Sequence, residues 1–342
     1  MRFSVLMPAY NVEKYIAEAV ESITNKTFED WELVIVDDGS TDKSGQIADD
    51  YAKKDSRIKV IHKTNGGLIS ARREGIKHAC GEYCLFCDSD DFVKDLWMES
   101  IDSVITEFNF PDIVLFNLST LSEQTKEVVP RYFPWSEKCE IDPNDARFML
   151  ISSSNINELV KKAVKRELLL NDPLDYSKNY SGGYAEDRLQ SLYPLDACKR
   201  IAVLPEELYY YRINDSSMMH SKMNIEKVVN YTHVDVQRVT YPYVIKWEQD
   251  IPGLRNEFFK QCYHNMANVY KKMILTAESK NEIAKINGFR WDTCLPLENM
   301  DGFDKKKYLS LKDRVLSHMA ISPTMLGAYL LRLAYKILRK KG

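Results

Sequence analysis

Apolar residues in roughly the first third of the chain follow two rhythms that alternate. Short apolar runs at Phe3 to Met7, Glu32 to Val36, Lys59 to Ile61, Tyr83 to Cys87 and Asp112 to Asn117 have the length and flanking turns of buried strands. Between them the apolar spacing changes to three and four. Tyr15, Ile16, Ala19, Val20 and Ile23 then share one helical face, with Asn11 as the N-cap and Glu13 in the first turn. Ile47, Ala48, Tyr51 and Ala52 mark a second helix, Gly67 through Ala79 a third, and Leu96, Ile101, Val104 and Ile105 a fourth. Strand and helix in alternation predict an α/β fold, a mostly parallel sheet covered by helices.

The rhythm lapses between Thr120 and Asp142, where Pro130 and Pro134 suggest irregular or edge-strand structure. Residues Asn157 to Leu170 read as a cationic amphipathic helix closed by Asn171-Asp172-Pro173. Ile201 to Leu204 and Leu208 to Arg212 read as two short strands around a turn at Pro205. Beyond Asn214 long helical patterns take over, as in Phe258, Phe259, Cys262, Met266, Val269, Tyr270 and Met273. The organisation expected is a catalytic domain over 1–215 and a helical region over 216–342. Its tail, about 323–342, carries Leu326, Tyr329, Leu330, Leu333, Ile337 and Leu338 on one helical face, beside Arg332, Lys336, Arg339, Lys340 and Lys341. This tail reads either as an interfacial helix drawn to anionic lipid or as a helix packed on its own domain or on a second subunit of a homo-oligomer.

Composition narrows the function classes. A chain of 342 residues, 44% hydrophobic and 28% charged, is globular, and a net charge of −3 gives no footprint for nucleic acid. The seven cysteines sit within apolar segments, as in Tyr83-Cys84-Leu85-Phe86-Cys87, which points to a reducing compartment, and the C-x-x-C of Cys84 and Cys87 reads as core packing rather than as a metal or redox pair. The N-terminus runs directly into a strand pattern without a leader, and no run of about 18 apolar residues is present. The expected location is cytoplasmic, peripheral on the inner face of the membrane if the tail binds lipid.

The polar residues cluster where the strands end. In Pro8-Ala9-Tyr10-Asn11 a proline-stiffened turn offers an aromatic face on which a base can stack. In Asp37-Asp38-Gly39-Ser40-Thr41-Asp42 one carboxylate can accept from a base imide or ribose hydroxyl, while Ser40 or Asp42 serves as a helix cap. The glycine turn Asn65-Gly66-Gly67 leads through Ser70 to Arg72, with backbone amides and a cation suited to an anion. The apolar strand before Asp88-Ser89-Asp90-Asp91 stops in three acids, whose mutual repulsion a divalent cation on a diphosphate relieves. Each piece alone also fits a plain strand-to-helix connection, a helix cap or a surface ion pair.

Taken in order, the four loops resemble glycosyltransferase family 2, inverting enzymes with the GT-A fold, over about residues 3–215. The resemblance implies that Tyr10, with Pro8, Ala9 and Asn11, receives the base, and that Asp38 binds it. It also implies that Gly67 and Arg72 help hold the nucleotide. In the Asp-x-Asp motif it places Asp88 and Ser89 against the donor and Asp90, with Asp88, on Mn2+ or Mg2+. In the segment Gly182-Gly183-Tyr184-Ala185-Glu186-Asp187, Asp187 corresponds to the general base, although Ala185 stands where relatives commonly have Gly. Arg73 likewise stands where they usually have Asn. His220 reads either as an added metal ligand, as in some relatives, or as an exposed histidine. The expected activity is transfer of a sugar, hexosyl or N-acetylhexosaminyl, from a nucleotide diphosphate donor, UDP by this resemblance, to a glycan or lipid-linked saccharide of the cell surface. Two readings compete: a non-catalytic nucleotide-sugar binding module, and a nucleotide-cofactor oxidoreductase, which lacks the expected G-x-G-x-x-G after the first strand.

Overall fold

A computed structural model of the chain describes residues 1–25, 27–153, 155–176, 185–213, 234–296, 300 and 302–339. Two compact units separate, Met1–Ser181 with Glu186–Ser217, and Gly182–Ala185 with Met218–Gly342. The boundary expected near residue 215 lies outside the described residues.

The first unit is built on a ten-stranded sheet. Its strands are β1 (Phe3–Ala9), β2 (Trp31–Asp37), β3 (Ile58–His62), β4 (Tyr83–Phe86), β5 (Phe92–Val93), β6 (Ile113–Ser122), β7 (Val128–Pro130), β8 (Cys139–Ile141), β9 (Lys162–Lys165) and β10 (Ile201–Ile213). The order is β3-β2-β1-β4-β9-β6-β10-β5, with β7 beside β6 and β8 beside β10. Strands β3, β2, β1 and β4 run parallel, as do β6 and β10. Every residue of β1, β2 and β4 is buried, which is why these segments read as unbroken apolar runs rather than as alternations. Cys84 and Cys87 are buried thiols in this core.

The predicted helices form as α1 (Ile16–Thr24), α2 (Ser44–Ala52), α3 (Leu68–His78) and α4 (Trp97–Glu107), followed by α5 (Pro143–Ser152), α6 (Arg166–Leu170) and α7 (Glu186–Ala197). Helix α3 packs against β1 and β2, and α4 against β6 and β10.

Two expectations fail here. Residues 157–170 are not one amphipathic helix: β9 enters the sheet antiparallel between β4 and β6, pairing Tyr83 with Lys165 and Val114 with Ala163. Lys161 and Lys162, two of the cations of this segment, are buried. Lys161 Nζ donates to the carbonyl of Asn155 at 2.6 Å, and Lys162 Nζ donates to those of Ile156, Asn157 and Glu158 at 2.5, 3.0 and 2.9 Å. Nor does Pro205 divide two strands. Strand β10 runs unbroken along β6, and register shifts between Leu204 and Glu207 and between Glu207 and Tyr209 absorb the proline as bulges.

The second unit is helical where described: α8 (Val234–Trp247), α9 (Leu254–Thr276), α10 (Lys280–Gly288), α11 (Lys305–Tyr308), α12 (Leu311–Ile321) and α13 (Met325–Arg339). The stripe from Phe258 to Met273 is the buried face of α9, which packs against α12 and α13.

Candidate active site

Parallel strands deliver their following loops to one edge of a sheet, so the ends of β1, β2, β3 and β4 share that edge. Strand β1 continues through Pro8 and Ala9, both buried, and the loop proper begins at Tyr10. The last residue of β1 paired with β4 is Leu6, so Pro8, facing the same side two residues on, forfeits no ladder bond there. Tyr10 is 50% exposed, as a stacking surface must be. Asn11 is not the N-cap of α1, which starts five residues later at Ile16. It sits at φ 53°, a region asparagine tolerates better than most residues, and its Oδ1 accepts from Thr41 N at 2.8 Å. Asn11 therefore ties the β1 loop to the β2 loop.

After β2 the two acids divide. Asp37 accepts from Ser40 N at 3.0 Å and pairs with His62 Nδ1 at 2.8 Å, facing inward. Asp38 is 3% exposed, its Oδ1 accepting from Lys63 Nζ and from Gly66 N at 3.0 Å, its Oδ2 from Gly67 N at 2.7 Å. The glycine turn was expected to offer its amides to a bound anion; the anion it holds is the chain's own Asp38. With two lone pairs per oxygen, one on Oδ2 is left for a ligand. Gly67 has φ 84°, a conformation that a side chain strains. Neither Ser40 nor Asp42 is the N-cap of α2, which is Lys43; Asp42 Oδ1 accepts from the N–H of Ser44, the first residue of the helix, at 2.9 Å.

Arg72, in the second turn of α3, is buried. Its Nη1 donates to Asp187 Oδ1 at 2.6 Å and its Nη2 to Asp88 Oδ1 at 2.9 Å, while Nε has no partner among the described residues. Burial opposes the charge, and the two carboxylates outweigh it, so the guanidinium stays protonated at any ordinary pH. One cation thus joins the acidic strand end to the Glu186-Asp187 pair, 115 residues apart from Arg72 in sequence at its far end.

The three acids after β4 also divide. Asp88 is 29% exposed, Ser89 is buried and Asp90 half-buried. Asp91 is internal: its Oδ2 accepts from Tyr209 Oη at 2.8 Å and its Oδ1 from Arg212 N at 2.7 Å. Tyr209 Oη also accepts from Asp88 N at 3.1 Å, and Arg212 Nε donates to Asp90 O at 2.8 Å. Burial, reinforced by Asp90 and Asp88, pushes the Asp91 carboxyl well above its ordinary range. Tyr209, Arg212 and Asp91 shape the loop: in the sequence Asp91 reads only as one of the three acids, and Tyr209 and Arg212 only as part of a short strand, so no separate role is expected of any of them.

Among the described residues no group of three or more His, Cys, Asp or Glu side chains is arranged to hold a metal. Asp88 and Asp90 nevertheless supply hard carboxylate oxygens, the donor set of a Mg2+-type ion that takes its other ligands from substrate phosphates and water. His220 lies outside the described residues.

Helix α7 opens with Glu186 and Asp187. Burial, then the neighbouring Asp187 charge, pushes the Glu186 carboxyl up to about 8. Asp187 is 22% exposed; Arg72 holds its Oδ1, and Oδ2 has no partner among the described residues. Ala185, just before the pair, has φ 60°, a geometry that suits glycine better.

Residues 4–153 match the family model Glycosyl transferase family 2. GlyG of Streptococcus pneumoniae, named a glycosyltransferase, is 31% identical over 302 residues, covering 81% of this chain and 97% of GlyG. EpsJ of Bacillus subtilis, named an uncharacterized glycosyltransferase, is 34% identical over 228 residues, 63% of this chain and 62% of EpsJ. TarS of Staphylococcus aureus, named a poly(ribitol-phosphate) beta-N-acetylglucosaminyltransferase, is 33% identical over 214 residues, 62% of this chain and 35% of TarS. The crystal structure of TarS 1–349 in complex with UDP superposes with a TM-score of 0.70 at 23% identity, covering 98% of this chain and 91% of that one. The UDP-GlcNAc complex gives 0.68. The fold is the GT-A fold with a C-terminal helical region.

Proposed function

We propose, for a chain that belongs to glycosyltransferase family 2, an inverting transfer of a sugar from a UDP-sugar to a hydroxyl of a glycan or lipid-linked saccharide in cell-surface polysaccharide synthesis. The observation that carries this reading is Arg72 in contact with both Asp88 and Asp187. A carboxylate of the diphosphate side and a carboxylate suited to proton removal are thereby held one guanidinium apart. The choice of UDP is supported by the TarS complexes with UDP and UDP-GlcNAc, and the surface polymer by the name of TarS.

Tyr10 stacks on the base, and Asp38 accepts from it through the free lone pair of Oδ2. Asp187 Oδ2 takes the proton of the acceptor hydroxyl, whose oxygen attacks the anomeric carbon as the bond to the diphosphate oxygen breaks on the opposite face, inverting the configuration. Asp90 and Asp88 would hold a divalent cation, which would supply positive charge for the departing diphosphate. Arg72 orients Asp187 through Oδ1 and leaves its Oδ2 for the acceptor.

The test is a screen of UDP-sugars for UDP release and product formation, with Mn2+, with Mg2+ and with chelator, repeated for Asp187→Asn. Transfer should fall by about 10²–10⁴ in the variant, as expected when a general base is lost, with UDP binding by calorimetry unchanged. Undiminished transfer would remove Asp187 from the mechanism. UDP binding with no turnover of any donor would leave a binding module.

A further inference from the structure

Helix α13 (Met325–Arg339) carries an apolar stripe that its own unit leaves uncovered. Among residues 325–335 of this helix Ala328 is buried and Leu331 and Arg332 are half-buried, whereas Leu326 is 70% exposed and Leu330 and Leu333 are 56% exposed. At 100° per residue, positions 326, 330 and 333 fall within about 60° of one another, so the three leucines form one strip, flanked by the exposed Tyr329. The sequence that carries the strip has charge of one sign. After Asp313 the sequence has six Lys and Arg residues and no Asp or Glu, in a chain whose net charge is −3.

We infer that α13 docks on an anionic lipid surface, its leucines in the acyl boundary and the surrounding cations among the phosphate headgroups. Its 15 residues span about 22 Å, less than the roughly 30 Å of a bilayer core, so the helix lies on the surface rather than through it. No helix among the described residues is long and apolar enough to cross a membrane. Two other occupants suit the strip less well. A polyanionic glycan engages the cations but gives the leucines nothing to bury against. A second copy of this chain, meeting the same face by two-fold symmetry, brings two acid-free cationic tails together.

The inference is independent of the transferase reading, because its test contains no sugar donor. The full chain is floated with vesicles of phosphatidylcholine alone and of phosphatidylcholine mixed with phosphatidylglycerol, at low and high salt. The same is done for a Leu330→Asp, Leu333→Asp double variant, whose substituted side chains are exposed and whose fold is checked by circular dichroism. Flotation with the anionic vesicles only, weakened by salt and reduced at least about tenfold in the variant, is the expected result. Absence of the full chain from the anionic vesicle fraction overturns the inference. So does unchanged flotation of the variant, the mark of bare charge attraction that a polyanionic glycan also satisfies. A concentration-dependent dimer dissolved by the double variant assigns the strip to a second copy instead.

Discussion

Glu186 and Asp187 are adjacent carboxyls with different surroundings. Asp187 has Arg72 on one oxygen, while Glu186 is held in a setting that favours its neutral form. A carboxyl whose pKa rises from 4.5 to about 8 on folding binds its proton more tightly in the native state than in the unfolded chain. Its contribution to stability is therefore complete below pH 4.5 and is lost as pH rises toward 8. Urea denaturation at a series of pH values should show a decline over that window that Glu186→Gln flattens. The slope should stay below the limiting value of about 1.4 kcal/mol per pH unit, because the side chain is only half-buried. Identical slopes in the two proteins would mean that Glu186 is ionised at neutral pH and that the pair shares its charge differently.

At the level of elements, the acidic loop after β4 depends on β10. Tyr209 Oη serves both Asp91 and Asp88 N, so one hydroxyl fixes the two ends of the Asp88-Ser89-Asp90-Asp91 loop. Tyr209→Phe preserves the ring in the core and removes that hydroxyl, leaving a buried carboxylate oxygen without its donor. A loss of about 1–3 kcal/mol in unfolding free energy is expected, together with weaker activation by Mn2+, read from the metal dependence of UDP release. Unaltered stability would show that water or a neighbouring group replaces the hydroxyl, and that β10 does not hold the loop. The bulges of β10 belong to the same account. The register of β10 on β6 shifts after Leu204 and again after Glu207, and beyond the shifts Tyr209 and Arg212 meet Asp91 and Asp90.

For the whole molecule the proposed donor site lies within the sheet unit, and the residues proposed to bind come from loops that are ordered largely by one another. A ligand that binds only the folded form raises its stability by mass action, about 2.7 kcal/mol at a hundredfold excess over Kd. UDP with Mn2+ should accordingly raise the unfolding temperature by several degrees in a thermal shift assay, and UDP with chelator by less. Equal shifts in the two conditions would argue that Asp88 and Asp90 hold no cation, and would leave Arg72 as the main partner of the diphosphate.

The strand-helix alternation, the buried face of α1 and the place of the four strand-end loops were legible in the chain itself. These features rest on local periodicity and on residues such as Pro8, Gly67 and Asp42 whose conformational preferences act over a few positions. Tertiary structure alone decided the rest. Lys161 and Lys162 became core residues because the 155–158 turn supplied carbonyls for their amines, which no spacing rule contains. Asp38 turned inward to the glycine loop, and Asp91 to Tyr209, because the sheet order brings together strands distant in sequence. The link through Arg72 from Asp88 to Asp187 is of the same kind. A buried charge needs partners, and which partners it finds depends on how the chain closes around it.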